Sequence, residues 1–520
     1  MTRFQSPTLR LLGLANQIAI CLFCGVHRAA AEAPAEPAHP LRPNVLMIVV
    51  DDMNDWIGCL GGHPNVQTPN LDRLARRGLL FTNAHCPAPV CNPSRAAVLT
   101  GRAPHRTGIY DNAAVWHREL PGVVSLPSHF RTHGYHVLGG GKVYHHTPDF
   151  NRRSDWDDYF DQVFDSHAQR NLVRGSATPF RWPEGFPLNG LPEVAALENP
   201  PKNAREFDWG PFDVADAEMG DGRLVTWAEG VLREPPAEPF FLAAGIYRPH
   251  LPWYAPRSYF DRYPPESIVE PPVLAGDVDD LPPGGQRMAA DRRGDLEIVR
   301  REGRYAEILQ AYLANITFAD TLIGRLLDAL DAGPARDRTI VVLWSDHGWH
   351  FGEKEHLHKF TLWERSTRVP FMIAAPGTKP AGLATPRPVG LIDLFPTLVD
   401  LCGLPLPADL DGRSLVPLLE NPETAWDHPV LITHGRGNHA LRTERWRYIR
   451  YDDGGEELYD HAGDPHEWTN LAGRPEHAGR LQDFARLLPA SDAPARRAKA
   501  GKKWDRRREA EATRKEGTSP

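Results

Sequence analysis

Three runs of apolar residues organise the chain: residues 45–50, 240–246 and, after a leading threonine, 339–344. A run without polar interruption predicts a strand that is buried on both faces of a sheet. Residues 70–77 and 304–330 instead place apolar side chains at helical spacing, which predicts amphipathic helices. Strands that alternate with helices predict an α/β fold around a mainly parallel sheet.

Polar side chains follow each of these three predicted strands. They are Asp51 and Asp52 after the first strand, His250 after the second, and Asp346 with His347 after the third. In open α/β sheets, ligands bind beyond the carboxyl ends of the strands. We therefore expect these five residues, which are distant in sequence, to meet at one edge of the sheet.

The aspartates in this group predict a metal site. Adjacent carboxylates such as Asp51 and Asp52 repel each other unless a cation lies between them, and with Asp346 they suit a hard divalent ion. Any one aspartate taken alone is better explained as a helix cap or a surface loop. Oxygen ligands favour Ca²⁺, or Mg²⁺, over Zn²⁺, which prefers nitrogen and sulfur.

The pattern of apolar and polar residues changes after residue 424. Short apolar runs broken by turns predict a small antiparallel sheet. The runs are 429–433, 440–443 and 446–450. A helix is predicted after them, at 476–488. These elements define a small C-terminal α+β subdomain, 425–490, which follows a large domain, 43–424. Residues 491–520 are basic and poor in apolar residues, which predicts a disordered tail, with a polyanion-binding arm as the alternative.

The N-terminus has the pattern of an export signal. Arg3 and Arg10 precede an apolar stretch, and three alanines at 29–31 offer a cleavage site. The apolar stretch of about 14 residues is short for a bilayer, although a retained anchor is the alternative. We predict a signal peptide over 1–31, a linker over 32–42, no stable membrane anchor, and export to the periplasm or beyond.

Composition narrows the function. A chain of 520 residues is too long to fold around a single hydrophobic core, so more than one domain is expected. Its net charge of −8 argues against binding nucleic acid. Four cysteines remain after the signal, too few for a disulfide scaffold. A Cys59–Cys86 bridge is left open by the sequence.

One of these cysteines has an unusual context. Cys91 stands two residues before Pro93, and proline favours the start of a helix. Cys91 would then face the positive end of a helix dipole, which lowers a thiol pKa and makes the residue a candidate nucleophile or target of oxidation. The alternative is a small buried apolar side chain in a turn.

The surrounding string resembles the signature of the type I sulfatases: Cys91, Pro93, Ser94 and Arg95, then 99–102. The resemblance covers roughly residues 43–475 in the family's order, through the segments 43–45, 51–52, 68–72, 141–142, 345–348, 368–370, 391–398 and 411–415. The segments 141–145, 248–252 and 345–349 are most similar to the iduronate-2-sulfatase branch. The resemblance implies an alkaline-phosphatase-like large domain with a mainly parallel central sheet, and a smaller C-terminal domain with an antiparallel sheet.

The resemblance also assigns roles. Cys91 would be oxidised to formylglycine by a maturation enzyme, and its hydrate would attack sulfur. The metal ligands would be Asp51, Asp52, Asp346, His347 and the modified Cys91. Arg95 would steady the modified residue and Lys142 and Lys359 would bind sulfate oxygens. His250 would protonate the leaving alcohol, and His145 would act as the base that regenerates the aldehyde.

These roles agree with the chemistry of sulfate esters. A sugar alkoxide is a poor leaving group that needs a general acid, and the sulfate charge needs cations around it. The expected activity is hydrolysis of sulfate esters on a carbohydrate, such as a 2-O-sulfated uronic acid of a glycosaminoglycan. Two alternatives are a phosphonate or phosphate monoester hydrolase of the same superfamily and a non-catalytic glycan-binding homologue. Residues 146–235 match no branch clearly and are expected to line the substrate cleft.

Overall fold

The computed structural model describes residues 42–145, 150–160, 187–191, 207–291, 293–378 and 381–496. The predicted signal peptide, the predicted linker up to residue 41, residues 497–520 of the predicted tail and half of 146–235 lie outside the described residues. Of the helices in the described ranges, none combines the length and apolar character needed to cross a bilayer.

The strands are numbered in chain order. They are β1 Asn44–Val50, β2 Leu79–Phe81, β3 Ala84–His85, β4 His136–Gly141, β5 Asp158–Phe160, β6 Trp209–Phe212, β7 Phe240–Ile246, β8 Trp253–Pro256, β9 Thr339–Ser345, β10 His350–Phe351, β11 Leu357–His358, β12 Phe371–Ala374, β13 Leu383–Thr385, β14 Val389–Gly390, β15 Val430–Thr433, β16 His439–Arg442, β17 Trp446–Arg450 and β18 Glu456–Asp460.

The α-helices are numbered in the same way. They are α1 Pro69–Arg77, α2 Cys91–Thr100, α3 Pro104–Thr107, α4 Trp116–Glu119, α5 Leu126–Thr132, α6 Gly220–Arg233, α7 Arg257–Phe260, α8 Pro283–Ala289, α9 Asp295–Arg301, α10 Tyr305–Ala332, α11 Glu364–Thr367, α12 Leu394–Leu401, α13 Val416–Glu420 and α14 Ala478–Leu487. The two long amphipathic helices predicted from the sequence correspond to α1 and α10.

The central sheet has eight strands in the order β13-β2-β12-β9-β1-β7-β4-β5. Only β12 runs antiparallel to its neighbours; the other pairs are parallel. The three predicted strands β1, β7 and β9 lie side by side at its centre. The prediction of an α/β fold around a mainly parallel sheet is therefore confirmed.

Strand β1 separates two cores. Leu46, Ile48 and Val50 belong to a core that also contains the apolar face of α10. Val45 and Met47 belong to a second core on the other face, with side chains from α2 and α5. Alternate side chains of a strand point to opposite faces, so a strand covered on both sides must be apolar at every position.

The C-terminal sheet is an antiparallel meander of β15, β16, β17 and β18. The first three strands were predicted from the sequence, and β18 was not. Strand β18 was missed because its sequence is rich in polar residues, yet the side chain of Glu457 is fully buried. The Glu457 carboxylate accepts hydrogen bonds from Trp363 Nε1 at 2.7 Å and from the hydroxyls of Tyr451 and Tyr459 at 2.6 and 2.7 Å.

The first residues of the predicted disordered tail are attached to the main body. The Ala493 N–H donates to the His105 carbonyl at 2.7 Å, and the Arg496 N–H donates to the Gly108 carbonyl at 2.8 Å. Cys59 and Cys86 are both free thiols, so the open question of a bridge between them is answered in the negative.

Asp320, in the middle of α10, joins that helix to the start of α1. Its carboxylate accepts the backbone N–H groups of Asn70 and Leu71, at 3.1 and 2.7 Å. We expect Asp320→Ala to lower the free energy of unfolding by about 1–3 kcal/mol, because the buried Leu71 N–H and the half-buried Asn70 N–H lose their acceptor. Urea denaturation measures this loss. The control is Asp328→Ala on the same helix, which removes an exposed ion pair with Arg73 and should cost under about 1 kcal/mol. Equal losses in both variants would contradict the prediction.

Candidate active site

The carboxyl ends of three parallel strands meet at one edge of the central sheet. Asp51 and Asp52 follow β1, Lys142 follows β4, and Asp346 follows β9. Gly141 has φ +71°, and this left-handed backbone turns the chain out of β4 directly before Lys142. The predicted convergence of residues distant in sequence is thus observed.

Five side chains at this edge could hold a metal ion. Each offers one ligand atom, and these atoms all lie within 4.8 Å of one another; the residues are Asp51, Asp52, Cys91, Asp346 and His347. All five are buried. The set matches the ligand group predicted from the sequence.

A cation is also what the carboxylates of this cluster need. Asp52 Oδ2 is buried and accepts no hydrogen bond among the described residues. Burial, together with the neighbouring Asp51 charge, raises the pKa of Asp52 to about 7 in spite of the Lys359 ammonium. A carboxylate oxygen left without a donor beside further carboxylates fits a hard divalent cation.

Arg95 lies beneath this cluster and binds two of its carboxylates. Its Nε donates to Asp346 Oδ2 at 2.8 Å, and its Nη2 donates to Asp51 Oδ1 at 2.9 Å. Its Nη1 donates to the Val143 carbonyl at 3.1 Å. The side chain is completely buried. Arg95 therefore fixes the ends of β1 and β9 relative to each other and to the segment that follows β4.

The Cys91 thiol, a member of this cluster, also lies close to two ammonium groups. Its Sγ is 3.1 Å from Lys359 Nζ, 3.9 Å from Lys142 Nζ and 3.4 Å from His347 Nε2. Burial raises the pKa of the thiol, but the two lysines outweigh this and lower it to about 7. Cys91 is the first residue of α2 and Pro93 the third, so the cysteine lies within the first turn and not ahead of it.

Lys359 reaches the site from a strained loop behind the β10–β11 hairpin. Its neighbours His358 and Phe360 have φ values of +97° and +78°, although neither is glycine. Lys359 Nζ donates to Asp52 Oδ1 at 2.7 Å. Residues in this backbone region cost free energy and persist where the surrounding structure holds them, often at functional sites.

The two predicted proton-transfer histidines also lie at this edge. His250 Nε2 is 3.7 Å from Asp52 Oδ2. Its Nδ1 is 2.5 Å from the Leu251 carbonyl, which fixes the proton on Nδ1 in the neutral ring. His145 is buried; burial and the Lys142 charge hold its pKa well below the usual range, so its ring is neutral at pH 7. All the site residues predicted from the sequence are thus brought together.

A protein-family model described as sulfatase matches residues 43–404. This chain belongs to the sulfatase family. A second model, described as N-sulphoglucosamine sulphohydrolase, C-terminal, matches residues 352–490 of the sulfatase. The resemblance found in the sequence is confirmed, and the fold is alkaline-phosphatase-like, as that resemblance implied.

Individual relatives agree with this assignment. A sulfatase from Formosa agariphila is 39% identical over 466 residues, covering 87% of each chain. Iduronate 2-sulfatase from Mus musculus is 32% identical over 442 residues, covering 75% of this chain and 74% of the relative. A solved structure of a 2-O GAG sulfatase superposes with a TM-score of 0.65 at 25% identity, covering 86% of this chain and 91% of the other. The sulfatase is a sulfuric ester hydrolase of the iduronate-2-sulfatase-like branch.

Several supporting residues of the sulfatase site were missed by sequence reasoning. Ser94 Oγ donates to the Asp346 carbonyl at 2.6 Å. The Tyr312 hydroxyl, from α10, donates to the Asp52 carbonyl at 2.7 Å. Asp221 accepts the N–H groups of Tyr247 and Arg248 at 2.9 and 3.0 Å, which fixes the loop that carries His250. Ser94 lies within the quoted signature, whereas the other two carry no local signal.

Metal removal tests the acidic cluster of the sulfatase directly. We expect chelation to lower the Tm and calcium to restore it, because an ion that binds only the folded state stabilises it by mass action. Calorimetry measures the shift. The control is Asp52→Asn, in which the Tm should respond far less to chelator and calcium. A Tm that does not change after elemental analysis has confirmed metal loss would contradict the site.

Proposed function

We propose that this sulfatase hydrolyses sulfate esters of a carbohydrate, and that its substrate is a 2-O-sulfated uronic acid in a glycosaminoglycan or similar polysaccharide. The observation that carries the reaction class is the position of Cys91 Sγ, within 3.1 to 3.9 Å of Lys359 Nζ and Lys142 Nζ and beside the acidic cluster. The substrate class draws support from the named relatives, an iduronate 2-sulfatase and a 2-O GAG sulfatase.

Two groups would complete the site. Formylglycine, made from Cys91 by a maturation enzyme, would supply an aldehyde hydrate as the nucleophile. A divalent cation, Ca²⁺ in preference to Mg²⁺, would be held by Asp51, Asp52, Asp346 and His347, and would polarise the sulfate. The oxygen-rich donor set and the unsatisfied Asp52 Oδ2 support the choice of a hard ion.

The lysines neutralise the charge of the sulfate. Lys142 and Lys359 place ammonium groups on the Cys91 sulfur from two sides, and both are buried. In a site that excludes water, fixed cations stabilise developing negative charge more strongly than they would in solution. Arg95 contributes by position, because its guanidinium is fully engaged with the protein below the site.

The histidines handle protons. His250 would act as the imidazolium: its Nδ1 proton stays hydrogen-bonded to the Leu251 carbonyl, and its Nε2 proton would go to the leaving sugar oxygen. His145 is neutral and can therefore accept a proton during recovery of the resting enzyme. A general acid of this kind is worth about 10²–10⁴-fold in rate when the leaving group is an alcohol.

We propose further that the protein is exported through the signal 1–31 and acts in the periplasm or outside the cell. The catalytic domain would span 43–424 and the C-terminal subdomain 425–490. The pattern of Arg3, Arg10 and the following apolar stretch supports export. Extracellular polysaccharide is the substrate that such a location offers.

Replacement of Cys91 tests the reaction class. We expect Cys91→Ala to abolish turnover of 4-nitrophenyl sulfate with little change in Tm, because the side chain supplies the nucleophile and is small. The control is Cys86→Ala, a buried thiol outside the cluster, which should retain turnover. Mass spectrometry across residue 91 of the unmutated protein reports the aldehyde. Near-normal sulfatase activity in Cys91→Ala would contradict the proposal.

A paired assay separates the alternatives. Wild-type enzyme that prefers an aryl phosphonate over the matching aryl sulfate would favour the phosphonate or phosphate monoester hydrolase. Matured protein that turns over neither, yet binds sulfated glycans, would favour the non-catalytic homologue.

His250→Ala distinguishes proton donation from binding. We expect it to slow a sulfated disaccharide about 10²–10⁴-fold and an activated aryl sulfate much less, because a nitrophenolate leaves without a proton. Steady-state kcat/KM on the two substrates measures the difference. Lys359→Ala provides the comparison, because loss of a sulfate-binding charge should slow both substrates similarly. Equal losses for both substrates in His250→Ala would mean that the acid lies elsewhere.

A further inference from the structure

Two adjoining cavities run from the edge of the active site onto the C-terminal sheet. The first, of about 480 Å³, lies between the loop carrying Phe360, the end of α8 and the β15–β16 turn. The second, of about 720 Å³, continues along the β16–β17 face towards the end of α14. Asp452 lines both cavities. The two cavities meet at Asp452 and are together called the basic groove here.

The groove begins at the residues on either side of Lys359, His358 and Phe360. Phe360 lines it, and the centre of its ring lies 5.8 Å from Lys359 Nζ. The Phe360 N–H donates to the Pro89 carbonyl at 3.3 Å, two residues before Cys91. The His434 ring lies 6.3 Å from that of Phe360. The two rings form a partly apolar entrance on which the face of a sugar could pack.

Unpaired positive charge distinguishes the groove. Arg293, Arg436 and Arg450 line it, and all three are exposed. None of the three forms an ion pair with an acid in the described ranges. In a chain with a net charge of −8, three exposed guanidinium groups that line adjoining cavities form a localised positive surface.

The acidic residues of the groove are already engaged. Asp452 pairs with Arg287 at 3.5 Å, and Asp492 pairs with His439 at 3.2 Å. Asp291 accepts backbone N–H groups in its own turn, among them that of Leu296 at 2.9 Å. These contacts leave the acids charged, but five arginines and three aspartates line the two cavities, so the lining is net positive and suits an anionic ligand.

We propose that the basic groove binds the flanking residues of a linear anionic polysaccharide, so that a sulfated sugar within or at the end of a chain is presented to Cys91. This inference rests on the proposed function and deepens it. Carboxylate or sulfate groups of the chain pair with Arg293, Arg436 and Arg450, and the sugar nearest the site packs on Phe360. The preferred substrate is then an oligosaccharide rather than a small sulfate ester.

Binding to an unreacting protein tests the groove. The probe is a heparin octasaccharide, a uronate-containing sulfated chain, added to full-length Cys91→Ala protein. In that background, Arg436→Gln with Arg450→Gln is expected to raise the Kd about tenfold at about 50 mM salt, with a smaller effect at about 300 mM, because exposed charges are screened. The matched control is Arg336→Gln with Arg338→Gln, which removes equal charge at the opposite end of β9.

The outcomes separate this inference from the proposed function. Equal Kd values in the groove and control variants would contradict the proposal that the groove binds the chain. Equally tight binding of an uncharged dextran octasaccharide would contradict it as well. With matured enzyme, the ratio of kcat/KM for the chain to kcat/KM for an aryl sulfate should fall in the groove variant only. A wild-type enzyme without sulfatase activity would refute the proposed function, and the Kd values would still decide the groove.

Discussion

The site depends on how one buried guanidinium neutralises carboxylates that would otherwise repel each other. Arg95 donates to Asp51 and Asp346 from below, with both acids and the arginine fully buried. An uncompensated charge in such a place costs several kcal/mol, so these residues must be present together. The ends of β1 and β9 are thereby fixed in relation to the N-terminal half of α2, which carries both Arg95 and Cys91.

Two lysines next to the cluster meet the same need to neutralise buried carboxylates. Lys142 binds Asp51 and Lys359 binds Asp52, so that each ammonium is held next to the Cys91 sulfur. The same lysines lower the pKa of the thiol to about 7 although burial opposes this. A buried anion site is therefore organised before any substrate is present, which is the form of electrostatic catalysis that costs no reorganisation during reaction.

The surroundings of the site divide into rigid and adaptable parts. The carboxylates directly follow strands in which every residue is buried between two cores. Their positions are therefore insensitive to changes at the protein surface. Lys359, His250 and the groove residues stand on loops and on the C-terminal sheet. Function is commonly carried by loops on a rigid scaffold, and substrate preference can change there without disturbing the acidic cluster.

The sequence by itself determined the central strands and the chemistry at their ends. An unbroken apolar run has one stable place in an α/β protein, at the centre of a covered sheet, so β1, β7 and β9 were predictable. The Cys91 signature and the order of the other segments identified the family and, through it, Lys142, His145, His250 and Lys359. Those roles came from resemblance, because a single lysine or histidine has no distinctive local pattern.

Only the tertiary structure decided what depends on contacts between distant segments. Strand β18 was not predicted because Glu457 has the character of a surface residue until Trp363, from a distant segment, and two nearby tyrosines donate hydrogen bonds to its buried carboxylate. Asp320 and Tyr312 lie on an ordinary amphipathic helix, and their bonds to α1 and to the Asp52 carbonyl exist only once α10 has packed. The sequence records periodicity and residue type. Burial and pairing across hundreds of residues are properties of the folded chain.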